Sequence, residues 1–267
     1  MASLIETFLP FSTYNVLPHI KEAANVPSDH SEDLEDLRKL LTKHDVPKDV
    51  SIRLIHKHFD TREGEVMIFD KILIPGYGTV QTMKPVLPSK NHTLWGIHYY
   101  VNDACLLQAY EFTSFDVPDM STFETFLEEF CQLVSERNLQ HKFGLKLKVN
   151  DELDRLSWTE FEFNQKRSTI MLQDGMPMPN WDFDYTVSTE WNAFLVEDDT
   201  KTCKHKTTCR HGRTTCNHCR HYTSHDIEDM RRTGGDSGDE SFCLGGQSVM
   251  PGTPIFEVVN AITVQAL

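Results

Sequence analysis

The chain is 267 residues long, 39% hydrophobic and 25% charged, with a formal net charge of −14. That is enough for one large domain or two small ones with a sizeable core. It excludes a helical membrane protein, since no apolar run approaches the ~20 residues a span needs, and so acidic a body repels nucleic-acid phosphate over a Debye length.

In chain order, residues 1–30 are an apolar start broken by Pro10, Pro18 and Pro27, and predict an irregular arm with one short helical piece. The opening MASLIETFLPF lacks a basic stretch, so it does not read as a secretory signal. Residues 31–44 predict a helix. Ser31 is the expected N-cap, Glu32, Asp33 and Glu35 suit the positive end, and Leu34, Leu37, Leu40 and Leu41 form an apolar stripe. Residues 50–115 predict five antiparallel strands: VSIRLIHKHF, EVMIFDKILI, TVQTMKPVL, HTLWGIHYYV and CLLQAYEFTSF, the last two joined at Asn102-Asp103.

Residues 121–138 predict the clearest helix, with Ser121 and Glu124 as a capping box. Phe123, Phe126, Leu127, Phe130, Leu133 and Val134 lie on one face, and Cys131 sits beside them as a small buried thiol. The tracts FGLKLKV, SWTEFEFN and STIMLQ predict further strands, the last two a hairpin. DFDYTVSTEWNAFLV adds one more. The expected fold class is α+β, a curved and mainly antiparallel sheet covered by one or two helices. The domain plan is an arm at 1–30, a core at 31–199, a basic Cys/His segment at 200–225, an acidic then Gly/Ser-rich linker at 226–254 and a returning strand at 255–267.

The densest chemistry is TCKHKTTCRHGRTTCNHCRH, in which Cys203, Cys209, Cys216 and Cys219 each precede a histidine by two residues. Thiolate and imidazole are the ligands zinc prefers, and Cys216 and Cys219 have the spacing of a zinc knuckle. The expected ligands are Cys203, Cys209, Cys216 and Cys219, with His211 as the substitute, and the expected cofactor is zinc. From Cys203 to His221 there is no aliphatic or aromatic residue. A metal would therefore hold a coreless loop, and an expanded low-complexity insertion is the competing reading. Residues 201–225 carry six Lys/Arg and no acid, against −20 on the remainder. Seven cysteines without a secretion signal point to a reducing, intracellular setting.

Three histidines form a second constellation. His56 and His58 alternate in a predicted strand, on a face with Ile52 and Leu54, and His98 lies in another. His-x-His-x4-Glu with a later His-x3-Asn resembles the two metal motifs of cupin barrels. That resemblance implies a divalent metal at His56, His58, Glu63 and His98 with positions open to substrate. The alternative is that these are satisfied histidines of a sheet. The tracts RLIHKHFDTREGEVMIF and TLWGIHYYVNDACLLQAYE are also similar to a group of uncharacterised proteins of filamentous fungi, a resemblance that implies lineage and no activity.

No P-loop, hydrolase elbow or dinucleotide fingerprint is present. The expectation is a non-enzymatic, zinc-binding protein with a protein partner. The first alternative is an enzyme or small-molecule binder on the concave sheet face around His56, His58 and His98. The second is nucleic-acid binding through the basic segment, which the acidic body disfavours.

Overall fold

The structure is a computed structural model. It describes residues 4–74, 78–89, 93–149, 158–163, 167–173 and 186–193, together with the strand segments 220–222, 242–244 and 247–249. The arm is more ordered than its sequence suggests: β1 (Leu4–Ile5) is followed by three short helices, α1 (Phe11–Asn15), α2 (Ile20–Ala23) and α3 (Val26–Asp29). Then come α4 (Ser31–Lys43), β2 (Val50–Leu54), β3 (Val66–Ile74), β4 (Gly78–Val86), β5 (Trp95–Val101) and β6 (Leu107–Thr113). After α5 (Glu124–Glu136) follow β7 (Phe143–Leu147), β8 (Trp158–Phe163), β9 (Ser168–Gln173), β10 (Thr186–Ser188), β11 (Glu190–Trp191) and β12 (Arg220–Tyr222). A separate hairpin, β13 (Phe242–Leu244) and β14 (Gln247–Val249), falls inside the stretch expected to be linker. None of the described helices is long and apolar enough to cross a membrane.

Twelve strands form one sheet in the order β10-β12-β8-β9-β4-β3-β6-β5-β7-β2-β11, with β1 added beside β6. Most neighbours are antiparallel, as expected. The exceptions are β3 on β6, β1 on β6 and β12 on β8, which run parallel. The two ends of the order, β10 and β11, are separated in the chain by Thr189 alone. The sheet therefore curls until its two edges meet on one segment, which changes partners from β12 to β2 at that residue.

Both long helices cover the outer face. Leu34, Leu37 and Leu41 of α4 and Phe126, Leu127, Phe130 and Val134 of α5 pack with Val50, Ile52 and Leu54 of β2 and with Tyr99, Val101, Leu107 and Ala109. The heptad-like stripes in the sequence thus mark this core. The caps differ from expectation. The N-cap of α4 is His30, whose ring meets Asp33 at 2.9 Å. The N-cap of α5 is Phe123, and Ser121 instead hydrogen-bonds Asp119. Cys131 is buried as expected, and burial pushes its thiol up to about 12.

The inner face carries a second apolar cluster that includes Ile55, Met67, Phe69, Met83, Tyr100, Tyr110, Trp158 and Met171, closed by Tyr14 and Leu17 of the arm. Gly144 lets β7 approach β5 closely: a Cβ there would lie 1.9 Å from the Tyr99 carbonyl oxygen.

Candidate metal centre

Beside that apolar cluster the interior is polar. β2 ends at Leu54, where the Leu54 amide donates to Thr189 and the Ile55 amide to Lys142. The chain then leaves strand geometry. The alternation that would have carried His56 and His58 onto the helix-covered face with Ile52 and Leu54 is broken, and both imidazoles are buried in the interior instead. Facing them is β8. Its Trp158, Glu160 and Glu162 are all buried, as strand periodicity places them on one side.

One ligand atom each from His56, His58 and Glu160 lies within 4.8 Å of the others. These residues are 0%, 1% and 5% exposed. The two rings stand edge to face, 5.0 Å between centroids. His58 Nε2 lies 3.6 Å from Glu160 Oε1 and 3.7 Å from Glu111 Oε1, while its Nδ1 lies 3.6 Å from Glu162 Oε1. Such separations are long for hydrogen bonds. Two ligands each about 2.1 Å from one tetrahedral ion stand about 3.4 Å apart, so the 3.6 Å between His58 Nε2 and Glu160 Oε1 suits a shared cation.

His56 is oriented for that role. Its Nδ1 sits 2.9 Å from the Leu54 carbonyl oxygen, which can only accept, so Nδ1 carries the proton and Nε2 the lone pair. A backbone carbonyl holding the far nitrogen is the arrangement that fixes metal-binding imidazoles. Arg53 Nη2 donates to the Nε2 at 3.3 Å, and its Nη1 donates to Thr189 Oγ1 at 3.2 Å.

A β-bulge delivers the next group. Tyr99 pairs with Ala109, His98 with Glu111 and Gly96 with Phe112, leaving Tyr110 as an extra residue on β6 and Ile97 on β5. Bulges re-aim side chains, and here Tyr110 and Glu111, neighbours in sequence, are both buried near Tyr14. Glu111 accepts from the Tyr14 hydroxyl at 3.1 Å and from His98 Nδ1. At the far end of Glu162, Oε2 lies 3.4 Å from His19 Nε2 of the arm. Glu190 is served separately, by Lys146 at 2.8 Å, Lys148 at 2.9 Å and the Ser51 hydroxyl at 3.0 Å.

The electrostatics follow from these neighbours. For His58, burial disfavours the proton, but the carboxylates of Glu160, Glu111 and Glu162 outweigh it and raise the imidazole to about 9. For His98, burial and the Arg53 charge dominate and lower it to about 4, against the pull of Glu111. Burial works to raise Glu111, yet His58, the His98 hydrogen bond and Arg53 hold it at about 2. Glu190 is held well below the usual range by Lys146 and Lys148 despite its burial. Glu190 is matched by its lysines, and Glu160, Glu162 and Glu111 place three buried carboxylates around His58. Buried carboxylates are stable only when paired. A proton on His58 and a bound cation are two ways of supplying positive charge to these carboxylates.

The structure thus brings together His56 and His58 of the predicted set. His98 lies one carboxylate away, reaching His58 through Glu111 rather than sharing a ligand position with it. Glu63 is exposed in a turn and takes no part. The buried acids beside these histidines, Glu160, Glu162 and Glu111, were not singled out in the sequence. The signal available was the period-two series Trp158, Glu160, Glu162, which puts two acids on the face of a buried tryptophan. Cys203, Cys209, His211, Cys216 and Cys219 lie outside the described residues; of that segment only the strand 220–222 is described.

Comparison with protein-family models, with curated proteins and with solved structures finds no match.

Proposed function

We propose that this protein binds a divalent transition metal, zinc or a neighbour such as iron(II), through His56, His58 and Glu160, and that the metal serves a small-molecule site inside the curled sheet. The observation that carries this reading is the convergence of three buried ligand atoms within 4.8 Å, with Glu111 and Glu162 buried beside them. Two imidazoles and one carboxylate are a donor set used by catalytic zinc and by non-haem iron. Three protein ligands leave coordination positions for water or substrate, whereas a purely structural zinc site is closed by four. Glu111 is a further carboxylate 3.7 Å from His58 Nε2, and its partners Tyr14 and His98 hold it in place.

The Cys/His pattern supports a second reading, zinc held by Cys203, Cys209, Cys216 and Cys219 as a docking element for a protein partner. One experiment separates the two. Metal content is measured on chelator-free full-length protein and on three variants: His56→Ala, Glu160→Gln, and the double Cys216→Ser/Cys219→Ser. The interior site predicts loss of one equivalent in the first two and retention in the third. Retention in the first two, with loss in the third, sinks the interior reading and upholds the other.

A further inference from the structure

Arg53 is a buried cation with one nitrogen unserved. It is 2% exposed, and among the described residues no carboxylate comes within ion-pair distance of it. Its Nη1 is held by a neutral threonine hydroxyl and its Nη2 by the lone pair of His56, while Nε has no hydrogen-bond partner. A buried guanidinium ordinarily meets a carboxylate or phosphate in a two-pronged pair. Nε and Nη2 form one edge of the guanidinium plane, and they donate in parallel to the two oxygens of a single oxyanion.

Metal binding frees that edge. If His56 Nε2 gives its lone pair to a metal, Arg53 Nη2 loses its acceptor, and both donors of the edge stand unsatisfied beside a divalent cation. Two positive centres that close, inside the protein, repel unless an anion lies between them. Two more buried polar atoms sit nearby, their rings 5.9 Å apart: the Tyr110 hydroxyl, which Arg53 itself approaches, and His98 Nε2, which has no hydrogen-bond partner among the described residues. The Arg53 charge acts on both. Because His98 gives its Nδ1 proton to Glu111, its Nε2 is an acceptor, and Tyr110 can donate or accept. The interior therefore offers a guanidinium edge, a hydroxyl and an imidazole lone pair next to the candidate metal ligands.

We propose that the metal-loaded site takes a small organic carboxylate, bound two-pronged by the Nε/Nη2 edge of Arg53 with one oxygen shared with the metal. The inference rests on the metal reading above and assigns to that site a ligand class and a specificity-determining residue. A carboxylate is favoured over phosphate because one planar edge with two donors matches two oxygens and leaves a third and fourth unserved.

The test uses full-length protein loaded with cobalt(II), whose visible spectrum reports its coordination. Glycolate and pyruvate are the probes, with acetamide as the uncharged control and inorganic phosphate as the competing oxyanion. Saturable spectral changes with both carboxylates and none with acetamide are expected. Arg53→Gln should weaken binding about tenfold to a hundredfold. Arg53→Lys, which keeps the charge in the core but lacks the edge, should weaken it as well, and covers the case in which the glutamine variant fails to fold. Cobalt content is measured in every sample. A cobalt-loaded protein whose spectrum ignores both carboxylates overturns the inference and leaves the metal reading standing. So does equal affinity in a folded lysine variant, or tighter binding of phosphate. Protein that takes up no cobalt overturns the metal reading and this inference together.

Discussion

Metal and proton compete for His58, and the size of the competition follows from its surroundings. Glu160, Glu111 and Glu162 raise the imidazole to about 9, so the metal-free protein at pH 7 holds His58 as imidazolium. An imidazole binds a metal only in its neutral form. Loading the site at pH 7 therefore expels one proton across two pH units, which costs about 3 kcal/mol and lowers the apparent affinity about a hundredfold. Between pH 7 and 8 the apparent affinity should rise about tenfold. The assay is calorimetric titration of the metal-free protein with zinc at pH 7, in two buffers of different protonation enthalpy, which counts the protons released. One proton per metal from His58 is the expected result. It should vanish, along with most of the affinity, in His58→Gln. Zinc uptake by the wild type that releases no proton and is flat from pH 7 to 8 would refute the assignment of His58 as a ligand.

Two further outcomes concern the metal-free protein. His58 is raised in the folded state, so its stabilising share is complete below pH 6.5 and is lost as pH climbs to about 9. His98 is lowered, so its share is complete above pH 6.5 and is lost as pH falls to about 4. Each limb amounts to about 3 kcal/mol, so urea unfolding should show maximal stability near pH 6.5, with His58→Gln flattening the alkaline limb. A monotonic profile from pH 5 to 9 contradicts this. Gly144→Ala forces a Cβ against the Tyr99 carbonyl oxygen and should cost about 3 kcal/mol, read as a lower midpoint in the same assay; an unchanged midpoint would mean that β7 and β5 are not so closely paired.

Much of the architecture was legible because it is local. Apolar spacing in 31–44 and 121–138 located both helices, and alternating or β-branched runs located the five strands of 50–115. The caps were not, because a serine or a capping-box pattern is a preference that the actual entry of the chain overrides: His30 and Phe123 stand where Ser31 and Ser121 were expected. The parallel pairing of β3 on β6 and the closure at Thr189 join segments far apart in the chain, and no local pattern encodes them. The site divides in the same way. His56 and His58 stood out as a pair, but assigning them to the face of Ile52 and Leu54 extended strand geometry past the residue where the strand ends. Glu160 was hidden among 40 acidic residues, and only burial separates it from the solvated ones. Glu111 depends on a bulge whose cause lies in the pairing of two strands.

The most direct test of the interior metal centre is X-ray absorption at the zinc edge on the zinc-loaded full-length protein, because the two candidate sites differ in ligand element. His56, His58 and Glu160 predict a shell of nitrogen and oxygen at about 2.0–2.2 Å, with the outer-shell signature of two imidazoles and no sulfur. A first shell dominated by sulfur at about 2.3 Å would contradict the account and place the ion on the cysteines of the basic segment.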